Sequence, residues 1–302
     1  MTEIGSNTSM ENPTVRDTFL HVADLHFWKF VYNPFRLLNK RVLGNANVFF
    51  RRRHEFPMSQ AEALIQGLEE TGERQALLTG DFSSTALDEE FVLARAFVDS
   101  LATRGFSIHL LPGNHDVYTY ESHRLQRFER HFAPYVPEQG YPALERFPGG
   151  TPLMLVPTVG PNVLSSKGRI SAEELRKTGE LLKDLASPTI VAGHYPVLNE
   201  TPGYRLTTNR LLRNAGALRR VLGESGIPIL YVAGHVHRFS LVQDPVYPNL
   251  THLCTGAFFR RNEREGIRGE FSRVRVTDAG FQVHRYTLRE GWESLRSKPE
   301  SL

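Results

Sequence analysis

Five short apolar runs, each closed by a polar group rich in Asp and His, constrain this chain more than any other feature. Thr18–Ala23 leads into Asp24-Leu25-His26 and Gln75–Thr79 into Gly80-Asp81. Phe106–Leu111 precedes Gly113-Asn114-His115-Asp116, Thr189–Ala192 precedes Gly193-His194, and Ile227–Ala233 precedes Gly234-His235-Val236-His237. Short apolar runs that end at a turn signal read as buried strands. Residue types that ligate metals thus recur where strands stop and loops begin, which sets chemistry on a rigid scaffold.

Between these runs the spacing turns helical. Met58–Glu70 places Ala61, Leu64, Ile65 and Leu68 on one face, and Leu87–Leu101 is a second helix closed by Gly105. Ser171–Leu185 opens with Ser171 and Glu174 three residues apart, the pattern of a capping box. Thr208–Leu222 reads as a basic amphipathic helix ending at Gly223. Beyond Ala233 the pattern is mostly strand: Ser240–Val242, Leu250–Leu253, Phe271–Val276 and Phe281–Tyr286, with turns at Asp244-Pro245 and Asp278-Ala279-Gly280. Alternating strands and helices followed by strands predict an α/β domain with a second sheet packed on the first. The expected organisation is a disordered leader over 1–17, one domain over 18–290 and a C-terminal tail over 291–302.

Composition narrows the setting. With 302 residues, 40% hydrophobic and 23% charged, the chain has enough apolar surface for one large core or two small ones. A single cysteine, Cys254, excludes an intramolecular disulfide framework, fits a reducing compartment, and reads as a small buried hydrophobe. Met1 to Asp17 is polar with no apolar core of signal-peptide length, and no apolar run approaches the ~20 residues that span a bilayer. The expectation is a cytoplasmic enzyme. The net charge of +3 singles out no partner by itself.

The polar groups have the chemistry of metal ligands. On an extended segment, residues i and i+2 point the same way, so Asp24 and His26 can reach one ion, and His235 and His237 repeat that spacing. Gly80 lets the chain turn so that the Asp81 carboxylate can sit between two cations. Asn114 offers a neutral carbonyl oxygen, and His194 and His235 offer imidazole nitrogens. Nitrogen and oxygen donors without thiolate suit manganese, iron or zinc better than calcium or a structural zinc. Any one of these residues alone is more often structural; five groups in this arrangement argue for function. His21, His54, His109, His123, His131, His252 and His284 match no such group and read as packed or solvated.

Asp-x-His, Gly-Asp, Gly-Asn-His-Asp, Gly-His and Gly-His-x-His, in that order from about residue 18 to 240, resemble the calcineurin-like metallophosphoesterase family. The resemblance implies a four-layer αββα sandwich of two mixed sheets flanked by helices. It implies that Asp24, His26 and His237 hold one divalent cation, that Asn114, His194 and His235 hold another, and that Asp81 bridges them. Manganese is the expected ion, with iron or zinc as alternatives. His115 would stand beside the leaving group, oriented by Asp116. Hydroxide made available between the cations would attack phosphorus in line, and His115 would protonate the departing oxygen or stabilise its charge.

The segment 27–54 stands apart. It has no acidic residue, yet carries Lys29, Arg36, Lys40, Arg41, Arg51, Arg52 and Arg53 among Phe27, Trp28, Phe30, Tyr32, Phe35, Phe49 and Phe50. As a helix it places Phe35, Leu38, Val42, Ala46 and Phe49 on one face and Arg36, Lys40, Asn47 and Arg51 on the other. That pattern suits an interfacial helix on anionic lipid, and equally a helix packed on its own domain. Nucleic acid is disfavoured, because no recognised reader accompanies the basic cluster. The segment leaves from the first ligand motif, so it begins at the rim of the site as a lid would. A basic, apolar segment there resembles bacterial, Chlamydia-type UDP-2,3-diacylglucosamine pyrophosphatases, and implies a lipid-linked nucleotide as substrate and peripheral contact with the inner face of the cytoplasmic membrane. Phe258-Phe259-Arg260-Arg261 offers either a second basic aromatic contact or a strand end with a solvated arginine pair. A soluble cyclic-nucleotide phosphodiesterase is the alternative, and a catalytically inactive scaffold of the same fold is a third reading.

Overall fold

The computed structural model describes residues 14–29, 56–117, 119–160, 166–204 and 210–301. Its strands are β1 (Val15–Val22), β2 (Gln75–Thr79), β3 (Ser107–Leu111), β4 (Ala143–Arg146), β5 (Pro152–Leu155), β6 (Gly168–Arg169), β7 (Thr189–Ala192) and β8 (Leu212–Arg213). They continue with β9 (Ile229–Ala233), β10 (Ser240–Gln243), β11 (Leu250–Cys254), β12 (Gly269–Thr277), β13 (Gly280–Leu288) and β14 (Trp292–Ser297). The α-helices are α1 (Ala61–Glu70), α2 (Asp88–Thr103), α3 (Tyr120–Arg124), α4 (Arg127–His131), α5 (Ala172–Leu182) and α6 (Ala215–Glu224).

Two six-stranded mixed sheets form the centre, in the orders β14-β13-β12-β1-β2-β3 and β10-β11-β9-β7-β5-β4. In the first, β1, β2 and β3 run parallel while β12, β13 and β14 add antiparallel strands. In the second, β5, β7, β9 and β11 run parallel, with antiparallel β4 and β10 at the edges.

Alternation along each strand builds four layers. Leu153, Leu155, Ile190, Ala192, Leu230 and Val232 face the other sheet, where they meet Phe19, Leu77, Leu111, Val274 and Val276. Their neighbours point outward to helices. Leu20, Val22, Ala76 and Leu78 pack with Leu64, Leu68, Phe91 and Phe97 of α1 and α2. Met154, Val191 and Tyr231 pack with Leu182, Leu218 and Leu222 of α5 and α6. Strands buried on both faces must be apolar almost throughout, as β2, β7 and β9 are, whereas edge strand β3 leaves Ser107 exposed.

Several boundaries differ from those predicted. β1 opens at Val15, inside the expected leader, and the Asp17 carboxylate accepts from the N–H groups of Gly149 (2.6 Å) and Thr151 (3.0 Å). The expected tail instead contains β14, whose Trp292 packs on Phe271 with ring centroids 5.0 Å apart, and Glu300 exchanges backbone hydrogen bonds with β10. The helix expected from Thr208 starts only at Ala215, because Leu212–Arg213 pairs with β6 and Asn214 turns the chain with φ 64°. The Ser171 capping box is present: Ser171 Oγ accepts from the Glu174 N–H, and the Glu174 carboxylate accepts from the Ser171 N–H at 2.6 Å. Beyond Lys29, the insertion lies outside the described residues.

Candidate metal centre

The ends of β1, β2, β3, β7 and β9 come together at one edge of the two sheets. Asp24 N–H donates to the Gly80 carbonyl (3.1 Å) and His26 N–H to the Asp81 carbonyl (2.8 Å), so the first two loops are stitched side by side. His235 N–H donates to the Asp24 carboxylate at 3.0 Å, and His115 N–H donates to Asp81 Oδ1 at 2.8 Å. Gly113 makes that last approach possible: a Cβ there would lie 2.1 Å from Asp81 N and 2.3 Å from its Oδ1.

The i, i+2 expectation fails in its reason. Asp24 and His26 have φ of 56° and 52°, and His235 and His237 have 69° and 53°. These are left-handed turns rather than extended backbone, and Asp81 shares the conformation at 56°. Such φ values in non-glycine residues cost on the order of 1–3 kcal/mol each and cluster at functional sites. Here they curl the loops so that side chains from separate strands converge.

The donors form two groups that share one carboxylate. Asp24, His26, Asp81 and His237 each present a donor atom, all within 4.8 Å of one another. His26 Nε2 is 2.9 Å from His237 Nε2 and 3.6 Å from Asp81 Oδ2, and His237 Nε2 is 3.7 Å from Asp24 Oδ1. On the other side, His194 Nε2 is 3.5 Å from Asp81 Oδ1 and 3.1 Å from Asn114 Oδ1, which is 2.9 Å from His235 Nδ1. Metal bonds of about 2.0–2.2 Å place neighbouring donors ~3.0 Å apart at octahedral angles and ~3.4 Å at tetrahedral ones. The separations lie close to that range.

The protonation pattern fits cations too. His194 Nδ1–H donates to the Thr79 carbonyl at 2.8 Å, and His235 Nε2–H donates to the Arg210 carbonyl at 3.0 Å. Carbonyls only accept, so the inward nitrogens, His194 Nε2 and His235 Nδ1, carry lone pairs. With the Asn114 amide oxygen between them, three acceptors face one another, an arrangement a cation relieves. Burial pushes the His194 pKa down to about 4; burial, then the charge of His194, pushes His235 well below its ordinary value. Both are neutral at neutral pH, as ligation requires.

His115 lies at the edge of the first group, its ring 5.0 Å from that of His26. The expectation that Asp116 orients it is corrected. His115 Nδ1–H donates to the Ser84 carbonyl at 2.7 Å. Asp116 is buried and accepts instead from the N–H groups of Gly113 (2.8 Å), Ser83 (2.8 Å) and Phe82 (3.2 Å) and from the Ser83 hydroxyl. Burial, and then the charge of Asp81, raise its pKa to about 7. It is a loop clamp. The sequence does not signal Ser84, Thr79 or Arg210, because they act through backbone carbonyls, which no residue type marks.

A model of the calcineurin-like phosphoesterases matches residues 18–239. The chain belongs to the calcineurin-like phosphoesterase family. As a member of that family it is a hydrolase of phosphoester bonds. This phosphoesterase shares its fold with a dimetal phosphatase from Danio rerio, at 12% identity and a TM-score of 0.61, over 94% of this chain and 100% of that one. It likewise resembles the purple acid phosphatase PPD1 from yellow lupin seeds, at 11% identity and a TM-score of 0.58, over 96% of this chain and 55% of that one. No curated protein matches the chain. At such identities the likeness establishes the αββα fold.

Other flagged residues take structural places in the phosphoesterase. Phe258 and Phe259 are fully buried core residues, so they form no aromatic contact surface. His21 is buried against the Thr79 hydroxyl at 2.9 Å, and His252 is buried against Asp244 at 2.8 Å. Cys254 is buried, which raises its thiol pKa to about 12. Among the described residues no helix is long and apolar enough to cross a membrane.

Proposed function

We propose that the phosphoesterase works with two divalent cations, manganese first and iron or zinc as alternatives. Asp24, His26 and His237 would hold one, Asn114, His194 and His235 the other, with Asp81 between them. The observation that carries this reading is the division of Asp81: Oδ2 faces His26 at 3.6 Å while Oδ1 faces His194 at 3.5 Å. Bound there, the cations supply a nucleophile from water at neutral pH and offset negative charge on the phosphoryl oxygens.

The chain's residues do the rest. Buried Asp24 and Asp81 give the site its negative charge and fix where cations sit. Phe56, buried and packed edge-on to His26 at 4.9 Å, holds that imidazole in place. His115, its Nδ1–H held by Ser84, turns Nε2 into the atom that meets the leaving oxygen and stabilises its charge or returns a proton.

The substrate we propose is a phosphodiester or diphosphate, in first place a lipid-linked nucleotide such as UDP-2,3-diacylglucosamine, met by an enzyme peripheral on the inner face of the cytoplasmic membrane. Support comes from the basic, aromatic composition of 27–54 and its departure from the first ligand loop. Assays with Mn²⁺ on UDP-2,3-diacylglucosamine, cyclic AMP and bis-p-nitrophenyl phosphate test it. Preference for the lipid-linked nucleotide supports the proposal; preference for cyclic AMP replaces it with the soluble phosphodiesterase; activity on none, with metals bound, leaves the scaffold.

A further inference from the structure

A cavity of about 190 Å³ opens beside His237, with Arg238, Gly256, Arg260, Glu270 and Arg285 among its walls. Its charges do not cancel. Arg285 is matched by Glu270 at 2.5 Å and by Glu265 at 3.6 Å. The other Glu270 oxygen accepts from the Gly256 N–H at 2.8 Å. Both carboxylates of the cavity are thereby committed to Arg285. Among the described residues, neither Arg238 nor Arg260 has a carboxylate within ion-pair distance.

Arg260 is the better-placed cation of the two. Its backbone N–H donates to the Ala257 carbonyl at 3.1 Å, and the preceding Phe258 and Phe259 are fully buried, so its position is fixed by the core. One terminal N–H donates to the His237 carbonyl at 3.2 Å, which ties it to the metal centre. Its Nε–H is buried with no acceptor among the described residues. A buried guanidinium donor left unmatched weakens a fold unless a ligand supplies the acceptor. A planar guanidinium offers paired donors suited to phosphate oxygens. Arg238 is exposed at the rim and adds charge without a fixed geometry.

We infer that this cavity receives a second anionic group of the substrate, a phosphoryl unit next to the bond that is cut, with Arg260 as its fixed donor. The inference rests on the hydrolase reading of the neighbouring centre and deepens it: diphosphates are preferred over substrates with one phosphate. The cavity selects, while the metal centre cuts.

The test compares inorganic pyrophosphate with inorganic phosphate as competitive inhibitors of bis-p-nitrophenyl phosphate hydrolysis, at constant free Mn²⁺, in wild type and Arg260→Ala. Wild type should bind pyrophosphate at least tenfold tighter than phosphate. Arg260→Ala should cut that ratio about tenfold or more, and Arg260→Lys should restore part of it. A ratio unchanged in Arg260→Ala overturns the inference; so does an equal loss for both anions, which marks a structural role through His237. Calorimetry of pyrophosphate binding to the chelator-treated protein gives a second readout, with at least tenfold weaker binding expected for Arg260→Ala. If wild type hydrolyses nothing, the hydrolase reading fails, and calorimetry still decides the cavity: equal binding by wild type and variant overturns it.

Discussion

The Nδ1–H of His115 donates to the carbonyl oxygen of Ser84 at 2.7 Å, which leaves Nε2 as the ring nitrogen with a lone pair. Asp116, adjacent in sequence, instead binds backbone N–H groups of Ser83 in the loop after β2 and of Gly113 in its own loop. The two neighbours therefore have separable duties. His115→Ala should retain both metals and lose ~10²–10⁴ in kcat, the usual worth of a positioned acid or base. Metal analysis beside bis-p-nitrophenyl phosphate kinetics checks this; loss of metal along with turnover would place His115 among the ligands.

Asp116→Asn should behave differently. The amide presents one acceptor where the carboxylate had two, so at least one of the N–H groups of Phe82, Ser83 or Gly113 goes unmet. A buried unmet donor costs ~1–3 kcal/mol. The expected outcome is a lower melting temperature and weaker metal retention together. A variant with wild-type stability and a pure kcat defect would restore Asp116 to a chemical role.

Gly113→Ala should disable the centre without touching a ligand. The added Cβ would overlap Asp81 backbone nitrogen at 2.1 Å and Oδ1 at 2.3 Å, and backbone cannot swing aside as a long side chain can. Metal content should fall, as is expected for loss of Asp81 itself. Normal metal content in a folded Gly113→Ala protein would show that the loops are not so tightly apposed.

The layers were readable in the sequence where apolar runs were short and ended at ligands; Gln75–Thr79 and Thr189–Ala192 match their strands residue for residue. β5 carries no strand signal because it begins at Pro152, a residue that signals turns. The helical pattern overshoots α6 because it runs on through Leu212 and Arg213, whose pairing with β6 depends on residues over forty positions away. The seven candidate ligands are legible by type and order, and the fold brings them to one edge of the sheets. Their left-handed turns and carbonyl anchors are not legible, since both arise from contacts between distant loops. Arg260 was visible only as half of a basic pair.

Acid should weaken the metal-free protein partly through His21. Burial pushes its imidazole pKa down to about 3 in the folded state, against ~6.5 when unfolded. Between those values the unfolded chain binds the extra proton, so stability is complete above pH ~6.5 and falls as pH drops. From pH 6.5 to 5 the contribution is about 2 kcal/mol. Urea unfolding at several pH values should show a shallower slope for His21→Asn than for wild type. Parallel slopes would mean that His21 accepts its proton in the fold.

Membrane attachment has its own test. If 27–54 meets anionic lipid, wild type should float with phosphatidylglycerol vesicles, and Phe49→Asp combined with Arg52→Glu should reduce flotation severalfold. High salt should weaken the wild-type interaction, because part of it is screened charge. Absence of flotation by wild type would leave the segment as a helix packed on its own domain.

The sharing of Asp81 is tested most directly by counting manganese per chain. Calorimetric titration with Mn²⁺, confirmed by elemental analysis, should give two ions in wild type. Asp81→Ala should bind at most one, weakly, with hydrolysis lost. A wild-type stoichiometry of one, or an Asp81→Ala protein that keeps two ions and turns over, would contradict a carboxylate placed between two cations.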